Sequence, residues 1–124
     1  MKFSESHEWV TLDGETATVG ISDYAQKELG EIVYVELPIE GRRVELEEEV
    51  VIVESTKSAV GIPSPLSGEI LVVNASLREH PEKINQSAEN EGWLFKLKME
   101  NPVESEQLMS ESSYQEYINT ISEK

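Results

Sequence analysis

One lysine stands out by its surroundings. Lys57 lies in Val53-Glu54-Ser55-Thr56-Lys57-Ser58-Ala59-Val60, and no other lysine occurs between Lys27 and Lys83. Apolar runs flank the stretch, so it reads as a hairpin tip that holds the amine away from the body of the protein. Ser55, Thr56, Ser58 and Ala59 are small and leave the ε-amine sterically open, while Glu54 offers an acidic marker to a modifying enzyme. A free lysine amine, with its ordinary pKa near 10.4, is an inert cation at neutral pH until it is acylated. That chemistry suits a covalent tether better than a base. The competing reading is a solvated turn lysine with no task.

Other chemistries are poorly served. The chain has no cysteine, which removes disulfides, thiolate metal sites and thiol nucleophiles. His7 and His80 are the only histidines, too few for a multi-histidine metal centre or a serine triad, and no Gly-x-Ser-x-Gly occurs. His7-Glu8 could be a ligand pair, but neighbours on a strand point to opposite faces. The cluster Glu45, Glu47, Glu48, Glu49 reads as a solvated, partner-facing edge rather than a cation site. No glycine-rich phosphate loop is present. No catalytic residue and no metal ligand is therefore assigned. With 25 acidic against 10 basic residues the net charge is -15, which repels phosphate backbones and anionic membranes and favours partners with basic docking patches.

The elements that must position Lys57 are mostly strands. Trp9 to Leu12 and Glu15 to Ile21 flank Asp13-Gly14, a tight-hairpin dipeptide. Ser22 caps a helix over residues 23–29 that stops at Gly30. Gly30 to Leu37 is a β-branched run closed by Pro38, and Glu40-Gly41 makes a turn. Val50-Val51-Ile52-Val53 is wholly apolar, as expected of a strand near the middle of a sandwich. Ala59 to Ile62 and Ile70 to Val73 read as a strand pair around Pro63-Ser64-Pro65-Leu66-Ser67-Gly68, and Trp93 to Lys98 is the last clear strand. Trp9 and Trp93 read as packing residues. Beyond it, Asn101-Pro102-x-Glu104 and Ser112-x-x-Gln115 read as helix caps, the second opening a helix with Tyr114, Tyr117, Ile118 and Ile121 on one face. The expectation is a single domain over 1–124, with a β core at 1–98 and a helical tail at 99–124.

Gly30-Glu31-Ile32-Val33-Tyr34-Val35 is echoed by Gly68-Glu69-Ile70-Leu71-Val72-Val73. Common strand vocabulary could produce this by chance; a true repeat would give two similar β units, joined through residues 54–62 at an exposed turn.

Six collinear motifs carry a resemblance. They are Ser6-His7-Glu8-Trp9-Val10, Gly20-Ile21-Ser22-Asp23-Tyr24-Ala25-Gln26, Leu29 through Pro38, Val53 through Ala59, Ser64-Pro65-Leu66-Ser67-Gly68-Glu69-Ile70 and Gly92-Trp93-Leu94-Phe95-Lys96. Over essentially its whole length the chain resembles the H proteins of the glycine cleavage system. The resemblance implies a mostly β barrel-sandwich hybrid of the lipoyl/biotinyl type, with short helices and a C-terminal helix. It also implies a carrier rather than an enzyme, with lipoate amide-linked to Lys57 and Glu54, Ser55, Thr56, Ser58 and Ala59 as the recognition sequence. In the family the arm receives an aminomethyl group from the pyridoxal-phosphate-dependent glycine decarboxylase and passes it to the tetrahydrofolate-dependent aminomethyltransferase. Dihydrolipoamide dehydrogenase reoxidises the arm, and a lipoate ligase or an octanoyl/lipoyl transferase installs it. The family shelters the loaded arm in a cleft, which makes Glu8, assisted by Ser6, the expected partner of its ammonium.

Three departures bear on that cleft. Gly61 stands where the family usually has an acidic residue four positions after the lysine. Glu28 precedes the Leu-Gly pair where some members have histidine, and Ala88-Glu89-Asn90-Glu91 replaces a Pro-Tyr-Gly-like segment. An H-like protein relaying lipoyl groups to other acceptors remains open, as does an unmodified acidic adaptor. A lipoyl or biotinyl domain of a larger complex lacks support, because Met-Lys-Met and long Ala/Pro linkers are missing. Met1 to His7 has no apolar core of a signal peptide, so a cytoplasmic location is expected, or a mitochondrial matrix one for a mature organellar form.

Overall fold

The computed structural model describes residues 1–122; the last two residues of the expected tail lie outside it. Among the described residues, nine strands form two sheets: β1 (Lys2–Phe3), β2 (Glu8–Asp13), β3 (Thr16–Ile21), β4 (Ile32–Glu36), β5 (Arg43–Val44), β6 (Glu49–Ser55), β7 (Ala59–Pro63), β8 (Gly68–Val73) and β9 (Phe95–Met99). One sheet has the order β1-β2-β3-β9-β8-β5, the other β4-β6-β7. All pairings are antiparallel. The helices are α1 (Asp23–Leu29), α2 (Lys83–Ser87) and α3 (Glu111–Ser122), with 3-10 turns at Ala75–Arg78 and Pro102–Gln107.

The local rules act where expected, with adjustments. Asp13 pairs with Thr16, so the first hairpin loop is Gly14-Glu15 rather than Asp13-Gly14. Gly14 takes φ 61 at the first loop position, which glycine tolerates without a Cβ clash. The Ser22 hydroxyl accepts the N–H of Ala25, capping α1, and Gly30 ends it at φ 84. At the tail, Asn101 caps Val103 N–H, but the element is 3-10 rather than α. The α3 cap is Ser110, whose hydroxyl accepts Ser113 N–H, and not Ser112. The strands β1 and β5 and helix α2 gave no sequence pattern long enough to read.

Two expectations about strands are corrected. β7 and β8 are not a pair: β7 adds to β6, β8 to β9, and the proline-rich segment after Ile62 carries the chain from one sheet to the other. β6 is the central strand of its sheet, but its apolar run is not buried on both faces. Val51 and Val53 point into the core, whereas Ile52 is 41% exposed. The core lies between the sheets, where Val10, Val19, Val35, Ile70, Phe95 and Leu97 are fully enclosed. Each such side chain contributes ~1.5–3 kcal/mol of burial.

The echoed segments occupy matching places. β4 pairs with β6 through Ile32↔Ser55 and then Tyr34↔Glu54, with an irregularity between. β8 pairs with β9 through Ile70↔Leu97 and then Val72↔Lys96, broken at the same point. The skipped residues, Val33 and Leu71, are both exposed, as are Tyr34 and Val72 after them. A bulge turns two successive side chains outward, and it does so at the equivalent position of each copy. Two similar β units are therefore present. Of the joining segment, Thr56 to Ala59 is exposed, and the chain from Ala59 continues as strand β7.

Candidate functional site

The β6–β7 hairpin closes around four residues, Ser55 to Ser58. Ser55 is buried, and its N–H donates to the Ser58 carbonyl at 2.8 Å. Its hydroxyl accepts the N–H groups of Lys57 at 3.1 Å and Ser58 at 3.2 Å. A short turn leaves such N–H groups without backbone partners, and a serine hydroxyl satisfies them locally. Thr56 N–H donates to the Glu31 carbonyl at 3.0 Å, fastening the tip to the residue that precedes β4. Thr56, Lys57, Ser58 and Ala59 are exposed, and Glu54 is half-buried on β6. The residues expected to mark Lys57 for modification thus share one tip, and among their side chains only that of Ser55 shapes it.

The Lys57 stem runs over Gly30, where an added Cβ would come within 3.2 Å of Cε. That platform is itself held. The Asn85 side chain donates to the Gly30 carbonyl at 2.8 Å and accepts the Ile32 N–H at 2.8 Å. Asn85, on α2, gave no signal in the sequence.

Glu8 opens β2 and is 1% exposed. Its Oε1 accepts from the hydroxyls of Ser4 at 2.7 Å and Ser6 at 2.9 Å. Its Oε2 is buried with no hydrogen-bond partner among the described residues. Burial pushes the carboxyl above its ordinary 4.5, and the two serines pull it part of the way back. Glu8 lines a cleft of about 370 Å³ walled by Leu46-Glu47, Pro63 to Pro65 and the tail residues Glu104, Gln107 and Leu108. Glu104 is fixed there by Ser67, whose N–H and hydroxyl both donate to its carboxylate at 2.7 Å. A buried carboxylate oxygen without a donor is costly unless a cation or donor from outside completes it. The arrangement can therefore hold an ammonium group. Ser4 was missed by sequence reasoning; the alternation Ser4-x-Ser6-x-Glu8 is the signal that could have found it.

His7 and Glu8 diverge, although not because both lie on a strand. His7 precedes β2 at φ 74, and its ring faces Tyr24, Tyr114 and Tyr117. Trp9 is buried and donates from Nε1 to the Ala88 carbonyl at 2.8 Å. Trp93 is half-buried beneath the Lys96 ammonium, 5.4 Å from its ring centre. In the departing segment, the Glu89 carboxylate accepts the Asp23 N–H at 2.8 Å, so it supports the start of α1. At Gly61, the carboxylate of Glu49 covers the space a Cβ would fill. A negative group thus stands over that position without being part of it. The acidic cluster is partly tied down: Arg42 pairs with Glu48, and Arg43 with Glu45 and Glu100. Among the described residues no group of three or more His, Cys, Asp or Glu side chains could hold a metal ion, and no helix is long and apolar enough to cross a membrane.

Comparison with known proteins points one way. The family model described as "Glycine cleavage H-protein" matches residues 1–121. The glycine cleavage system H protein of Parvibaculum lavamentivorans is 41% identical over 121 residues, 98% of this chain and 97% of that one. That of Thermotoga maritima is 47% identical over 116 residues, 94% of each. The probable H protein of Aeropyrum pernix is 49% identical over 118 residues, 95% of this chain and 82% of its own. A crystal structure of a glycine cleavage system H protein from Mycobacterium marinum superposes with a TM-score of 0.86 at 29% identity, covering 95% of both chains. The two share the barrel-sandwich hybrid fold. By matched length, identity and fold together, the chain belongs to the glycine cleavage H-protein family.

Proposed function

We propose that this chain is the lipoyl carrier of a glycine cleavage system, with Lys57 as the attachment point and no catalysis of its own. The observation that carries the reading is the Lys57 tip: an accessible amine on a turn fixed by its own Ser55 and braced on Gly30. An amide-linked lipoyl group would supply the disulfide that takes up the aminomethyl unit of glycine and later yields it to the folate enzyme. The chain's own residues would do the rest. Glu54, Ser55, Thr56, Ser58 and Ala59 would present Lys57 to a lipoate ligase or an octanoyl/lipoyl transferase. Glu8, with Oε2 lacking a donor, would pair with the ammonium of the cargo by a charge-assisted hydrogen bond while Ser6 orients the other oxygen. The walls of the cleft would keep water from that pair. Acylation would remove the Lys57 charge and take the net charge from -15 to -16.

Partners would be the pyridoxal-phosphate-dependent glycine decarboxylase, the aminomethyltransferase and dihydrolipoamide dehydrogenase, met in the cytoplasm. Tethering raises the effective concentration of one arm at three active sites in turn. Within this reading the whole of 1–124 serves as one carrier domain, residues 1–98 as β core and 99–124 as helical tail. Two measurements test it. Intact mass after expression with ligase and lipoate should show one lipoyl adduct on Lys57, and the loaded chain should support glycine decarboxylation in a reconstituted system. An unmodified chain would leave an acidic adaptor. A modified chain that donates its lipoyl group but fails in glycine cleavage would be a relay.

A further inference from the structure

The tail does more than wall the cleft: α3 grips the segment from which Glu8 projects. Phe3 and Met109 exchange backbone hydrogen bonds at 2.8 and 2.7 Å, and the rings of Phe3 and Tyr114 stack with centroids 4.2 Å apart. The Tyr114 hydroxyl, on a side chain only 4% exposed, lies 2.8 Å from His7 Nδ1 and 2.6 Å from Ser22 Oγ. Ser22 accepts the N–H of Ala25, so its own hydrogen can pass to Tyr114, whose hydrogen then goes to His7. Burial pushes the Tyr114 hydroxyl up to about 12, which keeps it a donor at neutral pH, and lowers His7, which keeps its ring neutral and able to accept.

His7 has reason to need holding. It is one of two non-glycine residues at positive φ among the described residues, a conformation that costs of the order of 1 kcal/mol or more and persists only where the surroundings impose it. Around it the chain folds back, with Ser4 N–H donating to the Glu8 carbonyl and His7 N–H to the Ser4 carbonyl. This turn brings the hydroxyls of Ser4 and Ser6 onto one oxygen of Glu8. If His7 relaxed to an ordinary backbone conformation, the turn would open and the three groups would part.

We propose that Tyr114 is a positioning residue for the arm cleft: through its hydrogen bond to His7 it locks the Ser4–Glu8 turn and so sets the place of the Glu8 carboxylate. Its functional meaning rests on the reading of Glu8 as the cargo's partner, but its geometry does not. The tail and the cleft are thereby coupled, and a segment 107 residues away in sequence from His7 decides how firmly the cargo is held.

The test uses the full-length chain in two states. In the lipoyl-free protein, carboxyl-labelled Glu8 is followed by NMR titration in the parent, Tyr114→Phe and His7→Asn. Tyr114→Phe keeps the stack on Phe3, and asparagine tolerates positive φ, so both variants should fold. The expected result is a Glu8 midpoint moved down toward 4.5 in Tyr114→Phe, where the loosened turn admits water, and close to the parent's in His7→Asn, where asparagine keeps positive φ without being held, with the overall spectrum preserved in both. In the aminomethyl-loaded carrier, Tyr114→Phe should release its cargo about three- to tenfold faster than the parent, the scale of one lost hydrogen bond. An unchanged Glu8 midpoint in Tyr114→Phe overturns the proposal. Normal cargo retention in Glu8→Gln would instead overturn the cleft reading, and the titration would still judge the role of Tyr114.

Discussion

Lys57 lies across Gly30, its Cε 3.2 Å from where a β-carbon on that glycine would stand. Gly30 also ends α1 at φ 84 and ψ -156, a region closed to residues with a side chain. The same position thus terminates a helix and keeps a track open for the Lys57 stem.

Gly30→Ala should cost ~1–3 kcal/mol from the backbone alone and displace the Lys57 stem. Thermal melting should show the loss, and the ligase should acylate the variant with a reduced kcat/KM. Unaltered acylation kinetics would mean that the track plays no part in presenting the lysine.

Lys57→Arg should abolish lipoyl attachment and leave the melting temperature within a degree or two. The side chain is exposed, and surface substitutions of this kind fall within about ±0.5 kcal/mol. A guanidinium keeps the charge but cannot be acylated by a lipoyl ligase. Glycine cleavage by the variant would show that the tether lies elsewhere.

Ser55→Ala should be the costly change at the tip, since it strands the N–H groups of Lys57 and Ser58. The expected loss is ~1–2 kcal/mol, with slower lipoylation. Thr56→Ala and Ser58→Ala remove side chains that make no hydrogen bond of this kind and should melt like the parent. Equal melting of all three would remove Ser55 from its structural role.

Glu8→Gln should melt higher than the parent at ~pH 7.5, with the gap closing as the pH falls below 4.5. Because burial raises the carboxyl above 4.5, the folded chain retains a proton through a window in which the unfolded chain has released it. Stability therefore falls as the pH climbs through that window. Glutamine carries no such charge to bury. His7 acts in the opposite sense: its lowered value means that stability drops as the pH falls below 6.5, where the unfolded chain takes up a proton first. A Glu8→Gln gap that does not change with pH would show that ionisation of Glu8 is not the cause.

Lys57 was legible because its neighbours are a local pattern, and so were the Ser22 cap and the Gly30 stop, which depend on a few adjacent residues. The burial of Glu8 was not, because the cleft it lines is walled by residues 46–47, 63–65, 104, 107 and 108, which only the fold assembles. The mistaken pairing of β7 with β8 has the same origin. A run of β-branched residues announces a strand, but which sheet it joins depends on partners such as β9, far along the chain. Ile52 shows the limit of apolarity as a guide, since an unbroken hydrophobic run still set one residue facing solvent. Tyr114 was read as the buried face of a helix; its hydroxyl contacts with His7 and Ser22 lie about a hundred residues away in sequence.

The bulge at Val33 has a consequence for how the molecule behaves in a crowded solution. Val33, Tyr34 and Ile52 are uncovered on the sheet that bears Lys57, a surface on which copies could stick together. Strand-to-strand stacking needs a long regular edge, and none is offered among the described residues. β1 and β5, at the margins of the larger sheet, have two residues each. In the smaller sheet, β4 is broken by its bulge, and β7 carries Gly61 and ends at Pro63, which has no N–H to give. Irregular, short or proline-ended margins are how β proteins avoid aggregation, and a charge of -15 adds mutual repulsion. The same kink that turns Val33 outward therefore also keeps neighbouring copies from extending the sheet.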